Sequence, residues 1–266
     1  MTSSNSNDGH SSVANNNSKW AIHPYVPRHP QWPYSPQDFA RDDESPDSRF
    51  YSQPRFVTHI DDHAISCLGK YYDDVLPKKG MMLDFCSSWI SHYPASVQHA
   101  QERGELKIIG AGLNKQELER NVLLSDPAQR IVQDLNERPD LGPALVAASC
   151  SFQLLDATTC VVSIDYLAKP LEVLRSIRAH MKPNGTIHVA ISNRAFWDKV
   201  IRRWKLVDEE ERLMMVADYL HFAGFEGIEI VDVGKGEANK GQAKRIMGVF
   251  GMMGNDPLWV VRGRNP

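Results

Sequence analysis

The chain has 266 residues, 42% of them hydrophobic and 24% charged, with a formal net charge of −3 at pH 7. That length supports one substantial core, and the near-neutral balance gives no global attraction to nucleic acid or an anionic membrane, so the expected partner is a small molecule or another protein. The scattered cysteines Cys67, Cys86, Cys150 and Cys160 form no C-x-x-C pair, and no run of 18 apolar residues or signal-like start occurs, which argues against zinc knuckles, disulfide frameworks and membrane spans and leaves a cytoplasmic protein as the expectation.

Residues 1–19 are mostly Ser, Asn, Asp and Gly and are expected to be disordered. Residues 20–39, "WAIHPYVPRHPQWPYSPQDF", interleave five prolines with aromatics. Prolines forbid a regular helix, so this reads as an extended linker, or as an arm lying across the body or a neighbouring subunit. Residues 41–48, "RDDESPDS", form a charged spacer, which divides the chain into an extended arm over 1–48 and a folded domain over 49–266. In "THIDDHAISCLGKYYDDVLP" the apolar residues Ile65, Leu68, Tyr72, Val75 and Leu76 recur at helical spacing, with Thr58 or Asp61 as cap and Pro77 as stop.

Beyond that helix, strands are predicted at 81–85, 106–111, 130–133, 157–163 and 185–191, separated by helices at 95–103, 114–123 and 170–181. A helical pair at 195–205 and 208–223 leads to strands at 227–233 and 257–263. Alternating strands and helices with continuous apolar strands predict an α/β fold with a mostly parallel sheet covered on both faces. The last two strands have no helix between them and should pair antiparallel at the edge. The segment "LKIIGAGLNKQE" (106–117) looks like a dinucleotide phosphate cradle, but Lys115 stands where the third glycine of G-x-G-x-x-G would be. It also follows the second strand of the body, whereas a nicotinamide enzyme carries its glycines after the first.

The block "LLDATTCVVSIDYLAKPLEVLRSIRAHMKPNGTIHVAISN" places Asp156 before a strand, then the loop 163–167, a helix, the K-P-x-G turn at Lys182 to Gly185, and another strand. In this order of features the chain resembles the class I S-adenosylmethionine-dependent methyltransferases, of the type 11-like kind with a degenerate glycine loop, over residues 50–264. The resemblance implies a Rossmann-like, doubly wound, seven-stranded sheet with an antiparallel edge hairpin, and S-adenosyl-L-methionine as cofactor. It implies that Asp84 is the acid ahead of the cofactor loop. Cys86, Ser88 and Ile90 then stand at that loop's glycine positions, and Ser87 and Ser88 offer hydroxyls to the cofactor carboxylate. The acid that ends the second strand and bonds the ribose is replaced by Gly112, with Leu113 and Asn114 following. Asp134 is expected to accept from the adenine amino group, Leu135 to flank the ring, and Ser163 to lie at the carboxyl edge of the fourth strand.

Methyl transfer is an in-line displacement at a sulfonium, so a base is needed only for a neutral hydroxyl or thiol acceptor. His59 and His92, with Tyr93 beside the latter, are the candidates for that base. His59, Asp61, Asp62 and His63 are metal-capable types but sit at a helix start, where capping is expected and no metal. Asn193, Phe196, Trp197 and Trp204 are expected to build the acceptor pocket, which suits an aromatic or apolar molecule. The stretch 198–212 reads as solvated helix faces, Met214, Met215, Met247, Met252 and Met253 as core filling, and the Lys-rich 234–245 as an exposed loop without the aromatics that stack bases. The expected function is methyl transfer to a small-molecule acceptor, with no nucleic-acid or membrane partner. The alternative is a catalytically inactive protein of this fold acting as a binding or regulatory partner, and an oxidoreductase ranks third.

Overall fold

Residues 19–149, 154–235 and 255–266 are described by the computed structural model. Eight strands form one sheet: β1 (Ala21–Pro24), β2 (Gly80–Phe85), β3 (Leu106–Gly112), β4 (Arg130–Val132), β5 (Leu155–Val161), β6 (Met181–Ile191), β7 (Glu226–Asp232) and β8 (Trp259–Arg264). Their spatial order is β1-β7-β8-β6-β5-β2-β3-β4. From β4 to β6 all neighbours are parallel, while β8 runs antiparallel to both β6 and β7. The chain winds outward from β2 through β3 to β4, then returns to lay β5 and β6 on the other side, so the direction of winding reverses between β2 and β5.

Alternation along the strands gives the sheet two apolar faces. Met82, Ile108 and Ala157 point to one face, where α2 (Asp62–Val75) and α3 (Ala95–Glu102) pack; Leu83, Ile109 and Cys160 point to the other, covered by α5 (Gly142–Ser149), α6 (Pro170–Arg178) and α8 (Glu209–Ala223). In α2 the buried residues are Ala64, Cys67, Leu68, Tyr71 and Tyr72, one stripe at helical spacing, and the Asp61 side chain caps the first turn by accepting from Ala64 N at 2.8 Å. The remaining helices are short: α1 (Asp47–Phe50), α4 (Lys115–Arg120) and α7 (Arg202–Leu206).

The sheet therefore has eight strands rather than seven, because the proline-aromatic segment is not an extended linker. Its residues 21–24 add β1 to the outer edge of β7, pairing Ala21 with Asp232 and Pro24 with Glu229. Trp20 donates its Nε1–H to Asp74 at 3.0 Å and meets Tyr71 edge-on. On α8, Asp218 is fully buried and takes Tyr25 OH at 2.6 Å, Tyr34 OH, and Arg28 at 2.8 Å, while Arg28 also reaches Glu211. Burial works to raise the Asp218 carboxyl, but Arg28 and the two phenols override it and hold it below the ordinary carboxylate range. Trp32 stacks on Phe39 and packs edge-on against Phe222. Lys199, 0% exposed, closes the strap: it donates to Ser45 O at 2.7 Å and pairs with Asp43 and Asp47.

These contacts correct two further readings. The stretch 198–212 is a solvated face only in part: Asp198, Arg202, Leu206 and Asp208 to Glu210 are exposed, while Lys199, Arg203 and Lys205 are turned onto Asp47, Asp38 and Asp42 of the strap. The predicted helix 195–205 shrinks to α7 because Phe196 N is taken by Tyr166 OH, Ile201 N by Asp165 O, and Arg41 bridges to Ile201. The predicted helix 114–123 breaks at Asn121, which caps a separate 3-10 turn over Val122–Leu124. Nothing in the periodicity announced α5. The expected loop beyond residue 235, with Met247, Met252 and Met253, and the expected disorder of residues 1–18 lie outside the described residues.

Arg28→Met removes the only cation that pairs with the buried Asp218 carboxylate among the described residues, and a loss on the order of 3–5 kcal/mol in urea denaturation is expected. Faster proteolysis within residues 20–48 should accompany it; a change below about 1 kcal/mol would show that the two tyrosines suffice.

Candidate functional site

Loops at the carboxyl ends of β2, β3, β4 and β5 enclose a cleft holding about 1100 Å³ of non-protein space, its open mouth included. The strap side adds Asp47, Tyr51, Arg55, Thr58 and His59, and the loop after β6 adds Phe196. A second hollow, sharing Thr58, His59, Tyr166 and Phe196, extends it toward Asp61 and Arg194. The residues expected around the cofactor and the two candidate bases all line the first cavity: His59, Asp84, Cys86, Ser87, Ser88, His92, Leu113, Asn114, Asp134, Leu135 and Ser163.

The loop after β2 is organised by Asp84, which is buried at the strand end. Its carboxylate accepts from Ser91 Oγ at 2.7 Å, Ser87 Oγ at 2.8 Å and Thr159 Oγ1 at 3.3 Å. Burial raises it to about 6, against the pull of those hydroxyls. Cys86 follows at φ +56°, the conformation glycine adopts freely, so the backbone takes the glycine path with a side chain present. Asn121 ties the far end of the loop by donating to Ser88 O and Ser91 Oγ.

The glycines of "GAG" serve this loop. A Cβ on Gly112 would stand 2.1 Å from the Ser87 carbonyl oxygen, and one on Gly110 would stand 2.3 Å from Leu124 Cδ1, with Ser87 Oγ also close. Ser87 N donates to Ala111 O at 2.8 Å, so the loop lies directly on β3. Close approach is the reason for these glycines: the approaching group is the Ser87 backbone at Gly112 and the Leu124 side chain at Gly110.

Past β3, Asn114 is used up locally: its oxygen caps α4 at Gln116 N and Glu117 N, and its Nδ2 donates to Tyr51 O. The nearby carboxylate is Glu117, buried in the cleft wall, where it accepts from Arg55 N at 2.7 Å and Ser88 Oγ at 2.8 Å. Sequence reasoning looked for an acid at the strand end and passed over this one, which the Asn114 cap places one helical turn later. Past β4, Asp134 Oδ1 accepts from Asn136 N at 2.9 Å, and Leu135 is buried. Ser163 donates to Val161 O, turning its hydroxyl onto the backbone.

His92 donates one ring N–H to the Thr58 carbonyl, and its Nδ1 is buried without a partner; burial lowers this imidazole to about 4. Burial also lowers His59, so both are neutral at pH 7. Of the five non-glycine residues with positive φ among the described residues, four line the cleft: His59, Cys86, His92 and Val162. Backbone strain gathers in this way where a site over-determines the chain, and a β-branched residue such as Val162 at φ +42° is the most costly case. Asp61, in contrast, is spent as the cap of α2, and no group of three or more metal-capable side chains occurs among the described residues.

The expected acceptor pocket is partly corrected. Phe196 lines the cleft, but Asn193 and Trp197 are exposed outside it and Trp204 is a core residue packed under α8. Tyr51 and Tyr166 supply the aromatic walls instead, positioned by the strap and by the Phe196 amide.

Gly112→Ala should cost about 2 kcal/mol or more, because backbone must move to admit the methyl, whereas Gly69→Ala in α2 meets nothing and should stabilise by about 0.5–1 kcal/mol in thermal melts. Asp165, buried in the loop after β5, is raised by burial to about 7, against its own amide and Arg212. Its folded value lies above its unfolded one, so its contribution is fully present below about pH 4 and is lost as pH rises toward 7. Asp165→Asn should therefore stabilise by on the order of 1–3 kcal/mol at pH 8 and by little at pH 4, and equal gains at both would contradict a buried carboxylate.

No protein-family model matches the chain, and no curated protein matches it. The chain is similar to S-adenosylmethionine-dependent methyltransferases of known structure. A phosphoethanolamine N-methyltransferase 2 of Haemonchus contortus, solved with S-adenosyl-L-methionine, is 12% identical with a TM-score of 0.44; the match covers 76% of this chain, which spans 52%, about half, of that one. A methyltransferase of Aquifex aeolicus is 13% identical, with a TM-score of 0.47 and coverage of 77% of this chain and 92% of that one. A 16S rRNA (adenine(1408)-N(1))-methyltransferase of Catenulisporales acidiphilia is 11% identical, with a TM-score of 0.42 and coverage of 74% and 93%. The architecture of this protein stands on the strand order of its own sheet, and no helix among the described residues is long and apolar enough to cross a membrane.

Proposed function

We propose that the cleft binds S-adenosylmethionine and that the protein transfers a methyl group to a small-molecule acceptor. The observation that carries this reading is the place of the cleft, at the carboxyl ends of β2 and β5 where the winding reverses, since open parallel sheets take nucleotide ligands at that point. Charge supports it. Among the described residues, Asp47, Asp84, Glu117 and Asp134 line the cavity with Arg55 as the single lysine or arginine, and only Asp47 is neutralised by cations, Arg41 and Lys199. A wall of net negative charge favours a sulfonium over a neutral nucleoside. Bound there, the cofactor supplies an electrophilic methyl group.

In this reading Asp134 uses the carboxylate oxygen left over from its cap to accept from an adenine amino group, with Leu113 and Leu135 against the ring. Glu117 takes the part of the missing strand-end acid: two of its four acceptor positions are filled by Arg55 N and Ser88 Oγ, and two remain for ribose hydroxyls. Asp84, Ser87 and Cys86 act through the path of the loop. His59 sits where the two hollows join, with its imidazole neutral, and can accept a proton from an acceptor hydroxyl or ammonium. His92 Nδ1 is the second candidate base. Tyr51, Tyr166 and Phe196 suit an aromatic or apolar acceptor.

A second reading, an inactive binding protein on this fold, is favoured by the polar atoms of Asp84, Ser88, Asn114 and Ser163 that already bond within the protein. Isothermal titration with S-adenosylmethionine and S-adenosylhomocysteine separates the cases. Micromolar binding that weakens about tenfold or more in both Glu117→Gln and Asp134→Ala is expected. No heat at millimolar ligand would overturn the cofactor assignment, and tight binding without transfer across an acceptor screen would favour the second reading.

A further inference from the structure

Arg55 differs from every other cation near the cleft. Arg41 pairs with Asp47 at 2.8 Å, Lys199 with Asp43 and Asp47, and Arg194 with Asp256. Among the described residues Arg55 takes part in no ion pair, and no hydrogen bond of its guanidinium to another residue is found. Aromatic rings flank it: the guanidinium carbon lies 4.3 Å from the Phe50 ring centroid and 4.8 Å from that of Phe196, with Tyr51 at 6.0 Å, and because the Phe50 and Phe196 centroids are 5.8 Å apart the two rings lie on adjacent sides of it. Its backbone is pinned as well, by Arg55 N donating to Glu117 Oε1. With rings beside it and its main chain fixed, the guanidinium keeps N–H donors without a protein partner among the described residues, in a cavity that Arg55 lines.

A guanidinium packed against aromatic rings with its main chain pinned is partly pre-organised, and its fork matches the two oxygens of a carboxylate or phosphate. We infer that Arg55 is a binding residue for an oxyanion carried by the cleft's ligand. The inference rests on the cleft being the ligand site, and it adds a chemical class: the bound molecules together include a carboxylate or phosphate, held at the Phe50 and Phe196 end. That oxyanion has two sources, the amino-acid carboxylate of the sulfonium cofactor or an acidic group on the acceptor. The four acids of the wall make the location specific, because an anion elsewhere in the cavity meets Asp84, Glu117 or Asp134.

The test is isothermal titration of the full chain, wild type, Arg55→Gln and Arg55→Lys, with S-adenosylhomocysteine, with methylthioadenosine, which lacks the amino-acid end, and with benzoate and phenyl phosphate. A loss of about ten- to a hundredfold in Arg55→Gln is expected for at least one oxyanion probe, with methylthioadenosine unchanged and Arg55→Lys intermediate. Loss confined to S-adenosylhomocysteine assigns the oxyanion to the cofactor, and loss confined to benzoate or phenyl phosphate assigns it to the acceptor. Equal affinities in wild type and Arg55→Gln, or failure of every oxyanion probe to bind wild type, overturns the inference. Methylthioadenosine silent in wild type speaks only against the nucleoside site, leaving Arg55 to the aryl probes. Thermal melts that match wild type in Arg55→Lys show that a loss in the variants comes from the fork and not from unfolding.

Discussion

A carboxylate buried at the end of a central strand cannot stay ionised unless donors surround it, and Asp84 obtains its donors from its own loop. Ser87 and Ser91 lie three and seven residues on, so satisfying Asp84 folds the loop back over the strand. Thr159 adds the third hydroxyl and is itself held by Tyr93 OH. From Ser91 the polar chain continues through Asn121 to the Ser88 carbonyl, and from the Ser88 hydroxyl through Glu117 to the backbone of Arg55. One buried acid thereby sets the floor of the cleft and, five hydrogen bonds away, the height of its roof.

The same network accounts for an exchange of small residues between two elements. A loop without glycine is bulkier and needs room, and the room is provided by β3, whose Gly112 lets the Ser87 backbone settle against the strand while Gly110 makes room for the Leu124 side chain beside the Ser87 hydroxyl. The requirement for close packing at this crossing is unchanged, while the residue that meets it has moved from the loop to its neighbour. Cys86 completes the arrangement by holding a left-handed backbone that glycine would adopt without strain.

Most of the strand-helix alternation was legible because it rests on local periodicity, and the antiparallel edge was legible from the missing helix before β8. The cleft lining was legible for the same reason: Asp84, Asp134 and Ser163 stand at strand ends, and an open sheet brings strand ends together. What was not legible depends on partners far away in sequence. Nothing near Lys199 indicates that it is buried, since its carboxylates lie more than 150 residues earlier at Asp43 and Asp47. Tyr25, Arg28 and Tyr34 read as a linker until Asp218 supplies the group they share. Nothing in the sequence around Glu117 places it on the cleft, because Ser88 and Arg55, which hold it there, lie 29 and 62 residues away, and Trp197 and Trp204, expected at the acceptor pocket for their place after the fifth strand, are exposed and core respectively.

The strap also fixes an order of events during synthesis. Residues 21–34 leave the ribosome early, yet their partners in β7 and α8 are made about 190 residues later. At 5–20 residues per second that interval is on the order of 10–40 s. Through it the segment carries unpaired backbone and a row of aromatic side chains with nothing to cover them, which makes it a natural client for a holding chaperone. The last strands to emerge then find the edge-closing strand already present in the same chain.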